Sequence, residues 1–175
     1  MQQLVPLSAS PFAAQLPGRS MAGASLRQMV RAGHAAPRST AGWLDDQQFV
    51  ALMNAYRSSG GLARAQEVLA LLLHRGGPDA ATLARWVQQR DVLSFDWHTD
   101  SWMPLFQFDP ADMRPLPQLR PVLAELEGLY NPWELAEWFV EPNAWLQGRA
   151  PVDRLGRDAA GVLDAARVDR FVANG

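Results

Sequence analysis

Hydrophobic residues recur at a helical spacing from about residue 43 onward. In the first periodic segment the apolar positions follow the i, i+3, i+4, i+7 pattern of one helix face: Phe49, Leu52, Met53 and Tyr56. A Ser-Ser-Gly-Gly sequence at 58–61 ends this segment, and a second helix is predicted over about 62–74. Pro78-Asp79 opens a third predicted helix, in which Leu83, Trp86 and Val87 face inward.

The spacing of apolar residues then changes from helical to alternating. Val92–Trp97 and Trp102–Phe108 are aromatic, partly alternating segments around a polar loop at 98–101, and they predict a β-hairpin. Pro104 limits the second segment to an edge strand, because proline cannot donate a backbone hydrogen bond. Three short helices followed by a two-stranded ribbon form the outline of a winged helix-turn-helix. We predict such a fold, in degenerate form, for residues 43–108.

Helical spacing returns after a proline-rich connection at 109–117, with a helix predicted over about 118–129. Asn131 then caps a further helix, with Pro132 at its first position and Glu134 at its third, the arrangement of a capping box. A last helix is predicted over about 158–173. The predicted fold class is therefore mainly α: a helix-turn-helix-like N-terminal half with a short β-hairpin, followed by a small all-helical C-terminal domain at 109–175.

Residues 1–42 show neither the helical nor the alternating spacing of apolar residues, and they are rich in Ala, Ser, Pro and Gly. We therefore predict a disordered arm. The arm is basic, because it carries four arginines and no acidic residue, a charge of +4. Residues 96–175 instead hold seven arginines and thirteen acids, a charge of −6. This asymmetry suggests that the two ends of the chain have separate roles.

Composition excludes several classes of function. The chain has no cysteine, which excludes disulfides, cysteine-zinc sites and thiol nucleophiles. Its longest apolar run, Val68–Leu73, is far shorter than the roughly 20 residues that a helix needs to cross a bilayer. We therefore expect no membrane segment and a cytoplasmic location. Seven tryptophans and a hydrophobic content of 48% provide enough apolar material for a core.

Candidate catalytic and metal-binding groups do not form a recognised pattern. Asp96, His98 and Asp100 alternate along the hairpin, but a fourth ligand is lacking and a polar loop explains them better. Glutamates at 125–141 are best explained as solvated helix surfaces. No Gly-x-Ser-x-Gly, phosphate-binding loop or dinucleotide-binding pattern is present. We therefore predict no enzyme activity, no metal and no cofactor.

The outward side of the third helix offers candidate DNA contacts. These are Arg85, Gln88, Gln89 and Arg90. Arginine can pair with guanine and glutamine with adenine in the major groove of operator DNA. The alternative is a solvated face on a degenerate helix-turn-helix, which is favoured by the neutral charge of residues 45–95, where five arginines balance five acids.

The stretch from Glu137 to Leu155 concentrates aromatic and turn-forming residues. Pro142-Asn143 must end one helix and begin a short turn, Gly148 permits a backbone conformation that other residues resist, and Pro151 begins the next turn. We expect four apolar residues to pack these short segments together into a helical platform: Trp138, Phe139, Trp145 and Leu146.

This spacing resembles the toxin-binding domain of the Xre/MbcA/ParS antitoxin family. The matching positions are Trp138, Phe139, Pro142, Asn143, Leu146, Gly148, Pro151 and Leu155, followed by Val162, Val168, Phe171 and Gly175. The Pro-Leu-Phe-Gln-Phe-Asp sequence at 104–109 is similar to a segment between the two halves of some members. The resemblance covers residues 104–175 well and residues 45–103 in outline.

The resemblance implies a function by binding. Such antitoxins inhibit a cognate protein toxin, often a RES-domain enzyme that destroys NAD, and many repress their own operon through an N-terminal helix-turn-helix. The end of the antitoxin chain lies near the toxin's catalytic pocket, which implies that four residues contact the toxin: Arg167, Arg170, Phe171 and Asn174. Arg167 and Arg170 lie about one helical turn apart and could form a basic edge. For this segment, the alternative is a capping helix packed on the platform.

We therefore expect a bacterial type II antitoxin that forms a homodimer. The alternative is a DNA-binding transcriptional regulator whose C-terminal half dimerises.

Overall fold

Seven α-helices and a three-stranded antiparallel sheet make up the part of the chain that the structure describes. The structure is a computed structural model, and it describes the backbone of residues 40–175 and the side chains of residues 45–175. The elements in chain order are α1 (Thr40–Ala55), β1 (Leu62–Arg64), α2 (Ala65–His74), α3 (Ala80–Gln88), β2 (Phe95–Trp97), β3 (Asp100–Pro104), α4 (Leu119–Leu126), α5 (Pro132–Val140), α6 (Pro151–Arg154) and α7 (Ala159–Asn174). The predicted mainly-α class is confirmed. None of the described helices is long and apolar enough to span a bilayer.

Helix α1 begins earlier than predicted. Its first turn starts at Thr40, so residues 40–42, which were assigned to the arm, are helical. The rest of the predicted arm, residues 1–39, lies outside the described residues. The helix continues into a 3-10 turn at Tyr56–Ser59. Gly60 then reverses the chain with a left-handed φ of 104°, a conformation that favours glycine.

The sheet has one more strand than the sequence predicted. Leu62–Arg64 was assigned to the second helix but forms β1, which pairs with β3 so that Ala63 lies opposite Met103. The helix begins only at Ala65, because the backbone N–H of Arg64 donates to the Glu67 carboxylate at 2.7 Å in a capping box that leaves Arg64 extended.

The predicted position of β3 at the edge of the sheet is wrong. The strand order is β1-β3-β2, so β3 is central, and its Trp102 lies opposite Phe95 of β2. Pro104 is nevertheless accommodated because it is the last residue of the strand. The predicted hairpin is present as β2 and β3, with a shorter turn at His98-Thr99 than expected.

One hydrophobic core crosses the predicted domain boundary between residues 108 and 109. On the C-terminal side its members are Leu119, Val122, Leu123, Leu126, Ala136, Trp138, Phe139, Leu146, Leu155, Val162, Ala165 and Ala166. On the N-terminal side they are Phe49, Leu52, Tyr56, Leu93, Phe95 and Trp102. The buried Tyr56 hydroxyl donates to the Ala136 carbonyl of α5 at 2.7 Å. The two predicted regions therefore belong to one compact unit, Ala41–Gly175.

A buried glutamine connects the turn after β3 to the segment between α3 and β2. The Gln107 side chain is fully buried at the end of the 3-10 turn Leu105–Gln107, which follows β3. Its Oε1 accepts from the Leu93 backbone N–H at 2.6 Å, and its Nε2 donates to the Leu93 carbonyl at 2.9 Å. These two bonds satisfy the backbone of the segment between α3 and β2, which has no strand partner there.

Candidate functional site

The turn between α5 and α6 is organised by Asn143 and the residues that follow it. The Asn143 Oδ1 accepts from the Trp145 N–H at 2.9 Å and begins a 3-10 turn at Ala144–Leu146. The Asn143 backbone N–H donates to the Arg149 carbonyl at 3.1 Å, which closes the loop. Gln147 and Gly148 both have left-handed backbones, with φ of 61° and 73°, and reverse the chain inside it. Pro142 immediately precedes this turn and Pro151 is the first residue of α6.

Three of the four expected packing residues of the platform are buried, and Trp145 is not. Trp138, Phe139 and Leu146 belong to the core, whereas Trp145 is 64% exposed. The expectation for Trp145 was wrong because it sits beside Leu146 in a 3-10 turn. Successive side chains of such a turn point about 120° apart, so only one of the two neighbours can face the core.

The final turn of α7 extends two large apolar side chains into solvent. Phe171 is 79% exposed and Val172 is 71% exposed, and Asn174 is exposed beyond them. Val172 was missed in the sequence, although two adjacent apolar residues near the end of an amphipathic helix cannot both face one core. The turn Ala144–Leu146 packs against α7, so Trp145 and this helix belong to two segments in contact.

Arg167 and Arg170 contact the carboxyl end of α4. The Arg170 Nη1 donates to the carbonyls of Glu125 at 2.8 Å and Ala124 at 3.4 Å. The Arg167 Nε lies 3.5 Å from the Glu125 Oε1. A cation at a helix C-terminus satisfies unpaired carbonyls and complements the helix dipole. The two arginines therefore do not form the expected free basic edge, and Arg170 acts as a cap for α4.

Helix α7 contacts α5 through the carboxylate of Asp169. The Trp138 Nε1 donates to the Asp169 Oδ2 at 2.6 Å and fixes α7 to α5. The pKa of Tyr130 is raised, first by burial and then by the nearby carboxylates of Asp169, Glu134 and Glu141. The end of α7 therefore combines a helix-capping arginine, an indole-bound carboxylate and an exposed apolar tip.

The predicted DNA contacts lie at the surface, but they do not share one helix. Arg85 and Gln88 are exposed on α3, whereas Gln89 and Arg90 follow its last residue. Arg90 has a left-handed backbone, with φ of 55°, and its Nη1 lies 3.0 Å from the Glu127 Oε1 of the segment after α4. The amino end of α3 is capped by Asp79, and its bond from the Thr82 N–H is the main reason that the pKa of this carboxyl is lowered.

The turn between β2 and β3 contacts helix α1 through a polar side chain. Asp96 and His98 are exposed there, and the His98 Nε2 lies 3.2 Å from the Asp46 Oδ1 of α1. This contact agrees with the interpretation of His98 as a polar loop residue. Within residues 45–175 no group of three or more His, Asp or Glu side chains is arranged to hold a metal ion.

Exposed large hydrophobic residues mark the surfaces that could receive a partner. Among the described residues they are Val50, Met53, Leu71, Leu73, Trp145, Phe171 and Val172. The three most exposed of these belong to the platform turn and the end of α7. Comparison of the chain with protein-family models, with curated proteins and with solved structures found no match.

Proposed function

We propose that this protein is an antitoxin that neutralises a partner toxin by direct binding through the platform and the end of α7. The observation that carries the proposal is the exposure of Trp145, Phe171 and Val172 on two segments in contact. The adjacent Phe171 and Val172 form one exposed apolar tip, and aromatic residues such as Phe171 and Trp145 are enriched in protein interfaces. The resemblance to the Xre/MbcA/ParS toxin-binding domain supplies the class of partner, a protein toxin such as a RES-domain enzyme that degrades NAD.

The surroundings of these side chains also support a binding surface. Asn143 caps the turn that holds Trp145, while Trp138 and Arg170 attach α7 to α5 and α4. Each bond restrains a segment before any partner arrives. A surface that is ordered in advance loses less conformational entropy on binding.

Phe171→Glu tests the proposal, and we expect it to abolish neutralisation while the protein stays folded. A buried, unpaired carboxylate in an interface is strongly unfavourable, and loss of an aromatic anchor commonly weakens binding by roughly 30-fold or more. The variant would be co-expressed with the reading frame beside its gene, and growth rescue, complex formation by size-exclusion chromatography and circular dichroism would be measured.

Two further variants help to interpret the result: a matched control for the introduced charge, and a variant that tests the cap of α4. Leu73→Glu places the same charge at an exposed apolar position on α2, and we expect it to neutralise the toxin normally. Arg170→Ala removes the cap of α4, and we expect it to lower the free energy of unfolding by about 1 kcal/mol. A folded Phe171→Glu variant that still rescues growth would place the binding surface elsewhere.

A DNA-binding regulator is the second candidate, and the strand order favours it. The order helix, strand, helix, helix, strand, strand with sheet order β1-β3-β2 is that of a winged helix-turn-helix, in which α3 would be the recognition helix. Ala81 and Ala84 are exposed together with Arg85 and Gln88. Small side chains would let this face approach base edges, while the β2–β3 hairpin carries Asp96 and Asp100 and no arginine to pair with a phosphate. A homodimer would place two such helices on a palindromic operator.

Arg85→Ala tests this second function against DNA from upstream of the protein's own gene. We expect a loss of roughly 5- to 150-fold in affinity, because one good base contact contributes about 1–3 kcal/mol. Arg90→Ala should have a smaller effect, since Arg90 already pairs with Glu127. Fluorescence anisotropy at several salt concentrations measures both, and binding should weaken as salt rises. Unchanged affinity of Arg85→Ala would remove α3 from the DNA-binding surface.

A further inference from the structure

A cavity of about 300 Å³ lies between the end of α3 and the pair of helices α4 and α5. Part of its wall is apolar, with Val87 from α3, Leu123 from α4 and Leu135 from α5. The cavity has about twice the roughly 150 Å³ of an engineered apolar cavity that binds benzene. It is therefore large enough for a small molecule with one ring and a short chain.

Four polar side chains line the same cavity: Ser94, Arg90, Glu127 and Tyr130. Arg90 and Glu127 form an ion pair with 3.0 Å between Nη1 and Oε1, and both side chains are more than half exposed. An ion pair this exposed gives little net stability. A ligand group that replaces Glu127 as the partner of Arg90 would therefore lower the stability of the fold only slightly.

The backbone of Arg90 is fixed by the end of α3. Its φ of 55° is unfavourable for a residue with a Cβ atom. The conformation is held by bonds from the Arg90 N–H to the Val87 carbonyl at 3.1 Å and from the Asp91 N–H to the Trp86 carbonyl at 2.9 Å. These two bonds are the pattern that closes a helix at its C-terminus, so the end of α3 fixes the position from which the Arg90 side chain reaches the cavity.

The polar groups favour an anionic ligand. The guanidinium of Arg90 and the hydroxyls of Ser94 and Tyr130 can all donate hydrogen bonds, whereas the ionised Glu127 only accepts them. Guanidinium groups bind carboxylates with two parallel hydrogen bonds. We propose that this cavity binds a small, mainly apolar carboxylic acid, whose carboxylate pairs with Arg90 in place of Glu127 and whose hydrocarbon part lies against Val87, Leu123 and Leu135. This binding site does not depend on the antitoxin function.

Three probes with the same ring and chain length test the head group: phenylbutyrate, phenylbutanol and phenylbutylamine. Titration of the full chain with each probe would be followed by calorimetry and by amide chemical shifts. We expect phenylbutyrate to bind with a dissociation constant in the millimolar range or below, at least about tenfold more tightly than the amine. The amides of Leu93, Ser94 and Gly128 should shift, because these residues line the cavity.

Two substitutions separate ligand recognition from a structural effect. Arg90→Gln removes the proposed partner of the carboxylate and should weaken phenylbutyrate binding about tenfold. Glu127→Gln removes the competing carboxylate and should strengthen it. Both variants break the same ion pair, so a purely structural effect would move the two affinities in the same direction.

Arg85→Gln is the matched control, because Arg85 is exposed on α3 and does not line this cavity. Its affinity for phenylbutyrate should equal that of the unmodified protein. Any of three results would overturn the proposal. They are equal affinities for the three probes, no binding of any probe, and affinities for phenylbutyrate that change in the same direction in Arg90→Gln and Glu127→Gln.

Discussion

Phe139→Ala will lower the free energy of unfolding by about 3–5 kcal/mol. The Phe139 ring is fully buried, with its centroid 5.1 Å from that of Phe106 and 5.0 Å from that of Trp138. Truncation leaves a cavity at the place where residues from both sides of position 108 meet. Urea unfolding followed by circular dichroism measures the change.

Trp145→Ala is the control for this prediction. It removes a larger side chain from a neighbouring segment, but one that is mostly exposed, so the free energy of unfolding should change by about 0.5 kcal/mol or less. A loss in Trp145→Ala comparable to that in Phe139→Ala would mean that the indole is covered in solution, for example by a second molecule.

The second large effect is expected at Gln107. Gln107→Leu preserves much of the buried volume but leaves the N–H and the carbonyl of Leu93 without partners. Each buried, unsatisfied polar group costs about 1–3 kcal/mol, so we expect a loss of roughly 2–4 kcal/mol after partial compensation by the added apolar surface. Chemical unfolding at neutral pH tests this value.

Gln107→Glu separates hydrogen bonding from side-chain shape. An ionised carboxylate could accept from the Leu93 N–H but could not donate to the Leu93 carbonyl, whereas the protonated form could do both. The pKa of the introduced carboxyl should therefore be higher in the folded than in the unfolded chain, where it is about 4.3. Consequently the variant should gain stability relative to the unmodified protein as pH falls through the folded pKa. A pH-independent difference between the two proteins would contradict this explanation.

Local sequence signals predicted the positions of several helices well. The Asn131 side chain accepts from the N–H of Glu134 at 3.0 Å, and the Glu134 carboxylate accepts from the N–H of Asn131 at 2.8 Å, as the capping box predicts. Pro132 and Pro151 each stand at the first position of a helix. Such signals work because every group involved lies within a few residues of its partner.

Features that depend on residues far away in the chain could not be predicted from local sequence signals. The three residues of β1 are too few to show a period, and their conformation depends on pairing with β3 about forty positions later. The Gln107 side chain likewise has no local partner, since both its side-chain hydrogen bonds go to Leu93. The boundary predicted after residue 108 followed a proline-rich composition, which does not reveal that Tyr56 bonds to Ala136.

In the candidate partner surface, too, local features could be predicted from the sequence and distant contacts could not. Phe171 was expected at a partner surface, and its side chain is exposed in the last turn of α7. The role of Arg170 was not visible, because the carbonyls that it caps lie 45 and 46 positions earlier. The spacing of Arg167 and Arg170 predicted that they lie on one side of the helix, but not that this side faces α4.

The shared core also has a consequence for synthesis of the protein. Phe49 and Phe95 belong to the same core as Val162, Ala165 and Ala166 of α7, so the early elements cannot complete their packing on the ribosome until α7 has been translated. Until then, the nascent chain presents the apolar sides of α1 and the sheet to chaperones and proteases. Completion of the core should accordingly require α7, and a ribosome stalled before residue 159 should carry a protease-sensitive chain.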